Sequence, residues 1–279
     1  MRSIEETVVL ITGATDGLGR GVAERLALDG ATVLLHGRDR ERVDRVEREI
    51  RGVSANNNII TYVADFASLE DVRNLAGEVL STEDELHVLI NNAGIGSGLP
   101  EKTTRQESRE GYELRFAVNY LSGFLLTWLL LPLLRRSAPA RIVNVASAGQ
   151  SPIDFDDVML ERNYSGTRAY SQSKLAQIMF GIELGGLIPP EEVTINSLHP
   201  STYMPTKIVL EERGGHVDSL EDGVEATVRL AISPEVEGLT GGYYDRQSES
   251  RAMHQAYDPD ARRRLWSLSL DLVGESQED

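Results

Sequence analysis

Short runs of β-branched and leucine-rich residues alternate with helix-periodic stretches along almost the whole chain, and this alternation limits the fold more than any other feature. Residues 7–12 read as a strand. Leu18, Val22 and Leu26 follow at a spacing of four, which puts them on one face of a helix. Residues 32–36 read as a second strand, and Val43, Val46 and Ile50 then mark the apolar face of a highly charged helix. The series continues with strands over 59–64, 86–90, 141–146 and 193–198. A last strand is expected near 241–245, and a final helix over 259–272 bearing Leu265, Trp266 and Leu272. Strands that alternate with helices are joined by crossovers, which require a parallel sheet covered on both faces. Such crossovers are right-handed, so the expected fold class is α/β, a doubly wound parallel sheet in three layers. No linker, repeat or low-complexity segment divides residues 1–279, so a single domain is expected. Two segments, about 147–168 and 201–222, fall outside the regular pattern, and loops of that length in a compact domain are usually functional.

The balance of charge narrows the partners. Asp and Glu total 44 against 28 Lys and Arg, a formal charge of −16. An acidic surface repels phosphate backbones and anionic lipid, so neither nucleic acid nor a membrane surface is expected as a partner. Solubility is its plainest meaning, with salt adaptation as the alternative. The chain has no cysteine, which removes disulfides, thiol catalysis and thiolate metal sites. Its histidines (His36, His87, His199, His216 and His254) include no pair at helical ligand spacing, so no metal site is expected. Residues 1–6 run directly into the first strand with no signal-peptide pattern, and a cytoplasmic location is the expectation. Residues 116–134 are nearly all apolar and about as long as a membrane span. Asn119, Ser122, Gly123 and Pro132 lie within them; polar groups are costly inside a span, whereas a helix buried on most sides gives the same pattern. The buried helix is the reading adopted.

Chemistry first becomes visible where the first strand opens into a helix, at Thr12-Gly13-Ala14-Thr15-Asp16-Gly17-Leu18-Gly19. Glycines let a backbone turn sharply and approach a pyrophosphate, and a helix N-terminus supplies unpaired N–H groups. The spacing is Gly-x3-Gly-x-Gly, not the Gly-x-Gly-x-x-Gly of the common dinucleotide fingerprint. With Asn91-Asn92-Ala93-Gly94 after the fourth strand, Ser147 after the fifth, and Tyr170-x3-Lys174, the loop occurs in the order found in short-chain dehydrogenase/reductases. The chain resembles that superfamily over essentially its whole length. Asp154-Phe155-Asp156-Asp157, the run from Ala169 to Ala176 and the run from Val118 to Thr127 look like its retinol-dehydrogenase-like branch. The long interval between Ser147 and Tyr170 fits the same branch.

The resemblance implies a Rossmann fold and a nicotinamide cofactor. Gly13, Thr15, Asp16, Gly17, Leu18 and Gly19 would surround its pyrophosphate. Asp65, with backbone from Phe66, would meet the adenine amino group; Asn92, Ala93 and Gly94 would line the central ribose; Asn91 would stabilise the sheet. Pro200 and Thr202 would lie by the nicotinamide, with Thr206 as the alternative to Thr202, because Ser201 stands where the family usually has glycine and Pro205 is extra. An acid at the end of the second strand would accept from a ribose diol, but here His36-Gly37 is followed by Arg38, whose guanidinium can pair with a 2′-phosphate. NADP is therefore expected, with NAD as the alternative, since Asp39 is adjacent and Asp16 stands in the loop where NADP-preferring relatives often have a base.

The reaction follows from the side chains. Hydride transfer to a ketone leaves an alkoxide to be protonated, and the reverse direction needs the alcohol proton removed. A phenol does either, but its ordinary pKa of ~10 makes it a weak base at neutral pH unless a cation stabilises the phenolate. Positions i and i+4 share a helix face, so Lys174 sits beside Tyr170. Ser147 can donate to the substrate oxygen where charge develops. The resemblance further implies that Asn119 fixes a water linking Lys174 to solvent. Residues 208–220 should form the substrate lid. Tyr203, Met204, Ile208, Val209 and Leu210 point either to an apolar pocket or to packing on the protein itself. The resemblance also implies association as a dimer or tetramer through the helices bearing Asn119 and Tyr170, and the apolar surface 128–134 suits this. The expected activity is NADP-dependent oxidation or reduction of a lipophilic or cyclic secondary alcohol or ketone. A catalytically silent dinucleotide-binding redox sensor or scaffold is the alternative. A nucleotide-sugar epimerase would need Gly-x-x-Gly-x-x-Gly and a larger C-terminal domain, and the sequence has neither.

Overall fold

A computed structural model describes residues 2–98, 104–202, 204, 215 and 217–276. The strands β1 (Val8–Ile11), β2 (Thr32–Gly37), β3 (Ile59–Val63), β4 (Val88–Asn91), β5 (Ala140–Val145), β6 (Val193–His199), β7 (Tyr243–Asp245) and β8 (Ser248–Ser250) form one sheet in the order β3-β2-β1-β4-β5-β6-β7-β8. All neighbours pair in parallel except β7 and β8, an antiparallel hairpin that the sequence reading did not anticipate. The order reverses between β1 and β4, and in open parallel sheets ligands bind at the C-terminal strand ends beside such a switch point.

Alternation along the strands builds two cores. Leu10, Leu34, Leu89, Ile142 and Ile195 face one side, packed with α3 (Leu69–Thr82), α4 (Leu114–Arg136), α5 (Gly166–Leu187) and α7 (Pro259–Val273). Val9, Ile11, Val33, Leu35, Ile90, Val143 and Leu198 face the other, packed with α1 (Gly17–Leu28), α2 (Arg40–Ser54) and α6 (Leu220–Ile232). Leu18, Val22, Leu26, Val43, Val46 and Ile50 are all buried, as their spacing predicts. Helix starts follow local chemistry: Asp16, Asp39, Ser68, Ser165, Ser219 and Asp258 each accept a backbone N–H of the first turn.

The apolar run over 116–134 is helix α4, and 67% of its most apolar window is buried inside the protein. Phe116, Tyr120 and Phe124 stack edge to face down one side of it and meet Phe180 of α5 and Trp266 of α7. The helix is not regular: over Ala117–Leu121 it widens into a π turn, and Asn119 lies in that turn. Part of this helix is covered by the C-terminal helix, while Leu129 and Leu131 stay partly exposed and Pro132 exposed. Helix α7 lays Trp266 against Phe124, Phe180 and Trp128, Tyr120 Oη and Ser269 Oγ are 2.6 Å apart, and Arg262 pairs with Glu183 at 2.8 Å. An apolar helix stripe is covered by whichever segment reaches it first, and a tail on the same chain needs no concentration to do so.

Candidate active site

The glycine turn after β1 is a close contact of backbone with backbone. Gly13 has φ +65°, and a Cβ on it would lie 2.8 Å from Ala93 Cα; a Cβ on Gly19 would overlap the Gly13 carbonyl and the Asn92 amide. Thr12 Oγ1 accepts the N–H groups of Asn92 and Ala93 at 2.9 and 3.0 Å. Asn92 Nδ2 donates back to the carbonyls of Thr12 and Gly13 at 2.8 and 3.1 Å, so its side chain clamps the loop and only its backbone is left to line a ribose. Asn91 does tie the sheet together, donating to Asn144 Oδ1 and Thr127 Oγ1, both at 3.0 Å.

His36 completes this clamp. Its Nε2 lies 3.1 Å from the Ala64 carbonyl, which can only accept, so Nε2 bears the proton and Nδ1 accepts from Gly13 N at 3.3 Å. Its own carbonyl accepts Ala14 N at 2.8 Å. The ring is buried against Phe66, centroids 4.7 Å apart, and burial lowers its pKa to about 4, so it is neutral at neutral pH. Phe66 thus contributes a ring as well as backbone, and its carbonyl accepts Ser122 Oγ at 2.7 Å. Asp65 Oδ1 accepts Ala67 N at 3.0 Å, which orients this carboxylate at the end of β3. Arg38 is exposed at the end of β2, whereas Asp39 and Asp16 are engaged as caps, accepting Arg42 N at 2.9 Å and Gly17 N at 2.8 Å. A dinucleotide suits this turn: Gly13, Gly17 and Gly19 leave its backbone uncovered by side chains, α1 begins within it at Gly17 and supplies first-turn N–H groups, and Thr15 and Leu18 belong to the same turn.

Tyr170 and Lys174 lie one turn apart on α5, and Ser147 lies just beyond the end of β5. Ser147 and Tyr170 both lie against Gly149: a Cβ there would be 3.5 Å from Ser147 Oγ and 3.9 Å from Tyr170 Cε1, and Ser147 Oγ accepts Gly149 N at 3.0 Å. Lys174 Nζ is 5.8 Å from the centre of the Tyr170 ring and donates to the Val145 carbonyl and to Gln177 Oε1, both at 2.9 Å. Burial among neutral groups lowers the Lys174 pKa to about 7. The Ser147 carbonyl accepts two donors, Gln150 Nε2 at 2.9 Å and Tyr243 Oη at 3.1 Å, and Gln150 Oε1 accepts Met253 N at 2.7 Å. Burial first, then the Asp245 carboxylate, push the Tyr243 phenol up to about 12, so it stays a donor.

The Asn119 side chain has protein partners of its own. The π turn aims its amide at the strand-like segment after β4: Oδ1 accepts Ile95 N at 2.7 Å, and Nδ2 donates to the Ile95 carbonyl at 3.1 Å and to Ser173 Oγ at 3.0 Å. Its side chain is therefore spent on fixing the wall beside Gly94 and Lys174.

The long segment between Ser147 and α5 is ordered by buried contacts. Ile153, Val158 and Leu160 are in or against the core, and Gln172 accepts Asp154 N and donates to the Val158 carbonyl. At its far end, Tyr164 Oη accepts from Arg115 at 2.8 Å and donates to Glu113 at 3.1 Å. Glu113 and Arg115 are 1% and 3% exposed and 3.4 Å apart, and Arg115 Nε also donates to the Gly96 carbonyl. After β6, Pro200 is buried and Thr202 Oγ1 is shared by His199 Nε2 and Arg246, both at 3.2 Å. Asp218 accepts Ser201 Oγ, Thr202 N and Arg246, which ties the two described ends of the expected lid. Thr206, the alternative to Thr202, lies outside the described residues, as do Tyr203, Ile208, Val209 and Leu210. Met204 is buried, and a Cβ on Gly223 would strike its sulfur, so Met204 packs on α6 in the core that includes Leu18. Sequence reasoning missed Gln177, Gln150, Tyr243, His36 and the Glu113–Arg115–Tyr164 cluster. The one signal available was polar residues at positions that helix or strand periodicity assigns to the interior.

Comparison with known proteins agrees with this geometry. The family model for short chain dehydrogenase matches residues 7–214. Human retinol dehydrogenase 14 is 38% identical over 95% of this chain and 86% of its own length, and human polyprenol dehydrogenase is 32% identical over 96% and 86%. Among solved structures, a putative uncharacterized protein from Mycobacterium paratuberculosis superposes with a TM-score of 0.77 at 26% identity, covering 99% of this chain and 96% of that one. The Pseudomonas aeruginosa RhlG/NADP active-site complex superposes with a TM-score of 0.70 at 25% identity, covering 88% and 97%.

Proposed function

This chain belongs to the short-chain dehydrogenase family, in its retinol-dehydrogenase-like branch, and from that premise we propose that it interconverts a lipophilic or cyclic secondary alcohol and its ketone using NADP(H). It is a pyridine-nucleotide-dependent oxidoreductase acting on an alcohol or carbonyl group. The observation that supports the finer mechanism most directly is the buried Lys174 ammonium beside the Tyr170 ring, with Ser147 and Tyr170 both against Gly149.

When bound, the nicotinamide supplies or accepts the hydride. Every other part belongs to the chain. Ser147 Oγ donates to the substrate oxygen, which orients it and stabilises charge as it develops. Tyr170 Oη gives its proton to that oxygen in reduction and takes it back in oxidation. Lys174 holds the phenolate down in energy by its charge, an effect enlarged by the burial of the amine. Gly13, Gly17 and Gly19 would admit the pyrophosphate, Asp65 the adenine, and Arg38 the 2′-phosphate. Preference for NADP is supported by the exposed Arg38 guanidinium just beyond β2, with Asp16 and Asp39 each already accepting a backbone N–H as helix caps. The lipophilic substrate is supported by the names of the retinol and polyprenol relatives.

Replacing Tyr170 with Phe removes the proton donor and keeps the ring. Turnover of a panel of ketones with NADPH should fall by about 10²–10⁴-fold, while NADPH binding, read by its fluorescence, stays near wild type. Full turnover by Tyr170→Phe would refute the mechanism. A binding-only protein would instead hold NADPH and leave every ketone in the panel unreduced before any substitution was made.

A further inference from the structure

An ammonium has three N–H donors, and two of those on Lys174 are directed at the Val145 carbonyl and the Gln177 side-chain carbonyl. Gln177 is 4% exposed on the buried face of α5, three positions after Lys174. The groups facing the amine come from each element packed around it. β5 brings the Val145 carbonyl, α5 brings Gln177 and the Tyr170 phenol, the π turn of α4 brings the Asn119 amide, and the segment after β4 brings the Gly94 backbone. A Cβ on Gly94 would lie 3.3 Å from Asn119 Oδ1 and 3.6 Å from Lys174 Nζ. Tyr170 is the titratable side chain in this set, and none of the set is a carboxylate.

We propose that Gln177 is a positioning residue for the Lys174 ammonium, holding it in line with Tyr170 and opposing the loss of its proton while adding no charge of its own. The proposal rests on the roles of Tyr170 and Lys174 given above. A buried amine without an acceptor loses its proton, and a neutral amine no longer stabilises a phenolate. A carboxylate would keep the amine charged, but its own field would cancel that charge at the phenol. An amide oxygen avoids both losses: it accepts the N–H and leaves the positive field to act on Tyr170.

Two substitutions in the full chain separate these effects. Gln177→Met keeps the volume and removes the acceptor; Gln177→Glu keeps the acceptor and adds a charge, and its retained hydrogen bond preserves the fold if the first variant fails to accumulate. The readouts are ultraviolet titration of the Tyr170 phenol in cofactor-free protein, isolated by difference from Tyr170→Phe, and the pH profile of alcohol oxidation. In both variants the phenol titration and the rising limb of the profile should move to higher pH by about one unit. Curves that superpose on wild type in both variants, with only kcat or melting temperature lowered, would make Gln177 a structural residue and overturn the proposal. The phenol titration needs no turnover, so it judges Gln177 even if the activity assigned to Tyr170 were wrong. Conversely, unmoved titrations would leave the Tyr170 mechanism intact.

Discussion

The ends of β1 to β4 and the ends of β5 to β7 form the two halves of the site, and they are built by different means. The first half is backbone pressed on backbone, fastened by neutral side chains such as Thr12, Asn92 and His36 at the strand ends. The second half depends on buried phenols, amides and charges brought from distant parts of the chain. Tyr243 reaches Ser147 across 96 positions and Gln150 reaches Met253 across 103. A wall of backbone is sensitive to added volume and to protonation of its few fasteners. A wall of buried polar side chains is sensitive to the loss of any one partner, because the group left behind is desolvated and unpaired.

Arg115→Met should show the second kind of fragility at its largest. It leaves Glu113 buried without its cation, and breaking such a pair costs about 3–5 kcal/mol. Chemical denaturation should show that loss together with loss of activity, because Arg115 also holds the Gly96 carbonyl and Tyr164. An unchanged midpoint would mean that the second half does not depend on the pair, and the contrast would fail.

His36 tests the first half. Its folded pKa of about 4 lies below the ordinary value of 6.5, so on acidification the unfolded chain takes up a proton that the folded one refuses. The stability this contributes is fully present above pH 6.5 and is lost as pH falls toward 4, about 3 kcal/mol in all. His87 and His199 are lowered by burial too and act in the same direction, so the measurement is a difference. Denaturation midpoints of wild type and His36→Asn, followed from pH 7 to pH 4, should converge as the pH drops. Parallel curves would remove His36 as the acid-sensitive fastener.

Tyr243→Phe should have the smallest effect. The Ser147 carbonyl keeps Gln150 as a donor, so the loss is one hydrogen bond of about 1 kcal/mol. Expressed at the serine, that is roughly a five-fold fall in kcat with a small change in melting temperature. A fall in melting temperature with kcat intact would assign Tyr243 to the core and not to the site.

Legibility in the sequence followed the same division. The strands at β1 to β6 and the faces of α1 and α2 lie where periodicity put them, because burial on a strand or helix is a local property of spacing. The placement of Gly13, Ser147, Tyr170 and Lys174 was likewise legible, since each lies at the end of a strand or within one turn of a helix. The π turn at Asn119 was not legible: it inserts an extra residue in response to Ile95 and Ser173, neither of which is near in sequence. Met204 was open between a pocket and packing on the protein, and the structure puts it in the core under α6. The partners of Thr202, His199 and Arg246, lie beyond what the chain order could tell.

The sequence by itself determined the layered parallel sheet, the glycine cradle at its switch point and the tyrosine–lysine pair. Each of these depends on spacing within one strand, one turn or one helix face. Tertiary structure alone decided that Lys174 is held by Gln177, that two donors grip the Ser147 carbonyl, and that Trp266 of α7 packs on Phe124 and Phe180. The reason lies in what burial does to polar groups. A side chain taken out of water accepts whatever partner the fold brings to it, and that partner is set by packing between segments far apart in the chain.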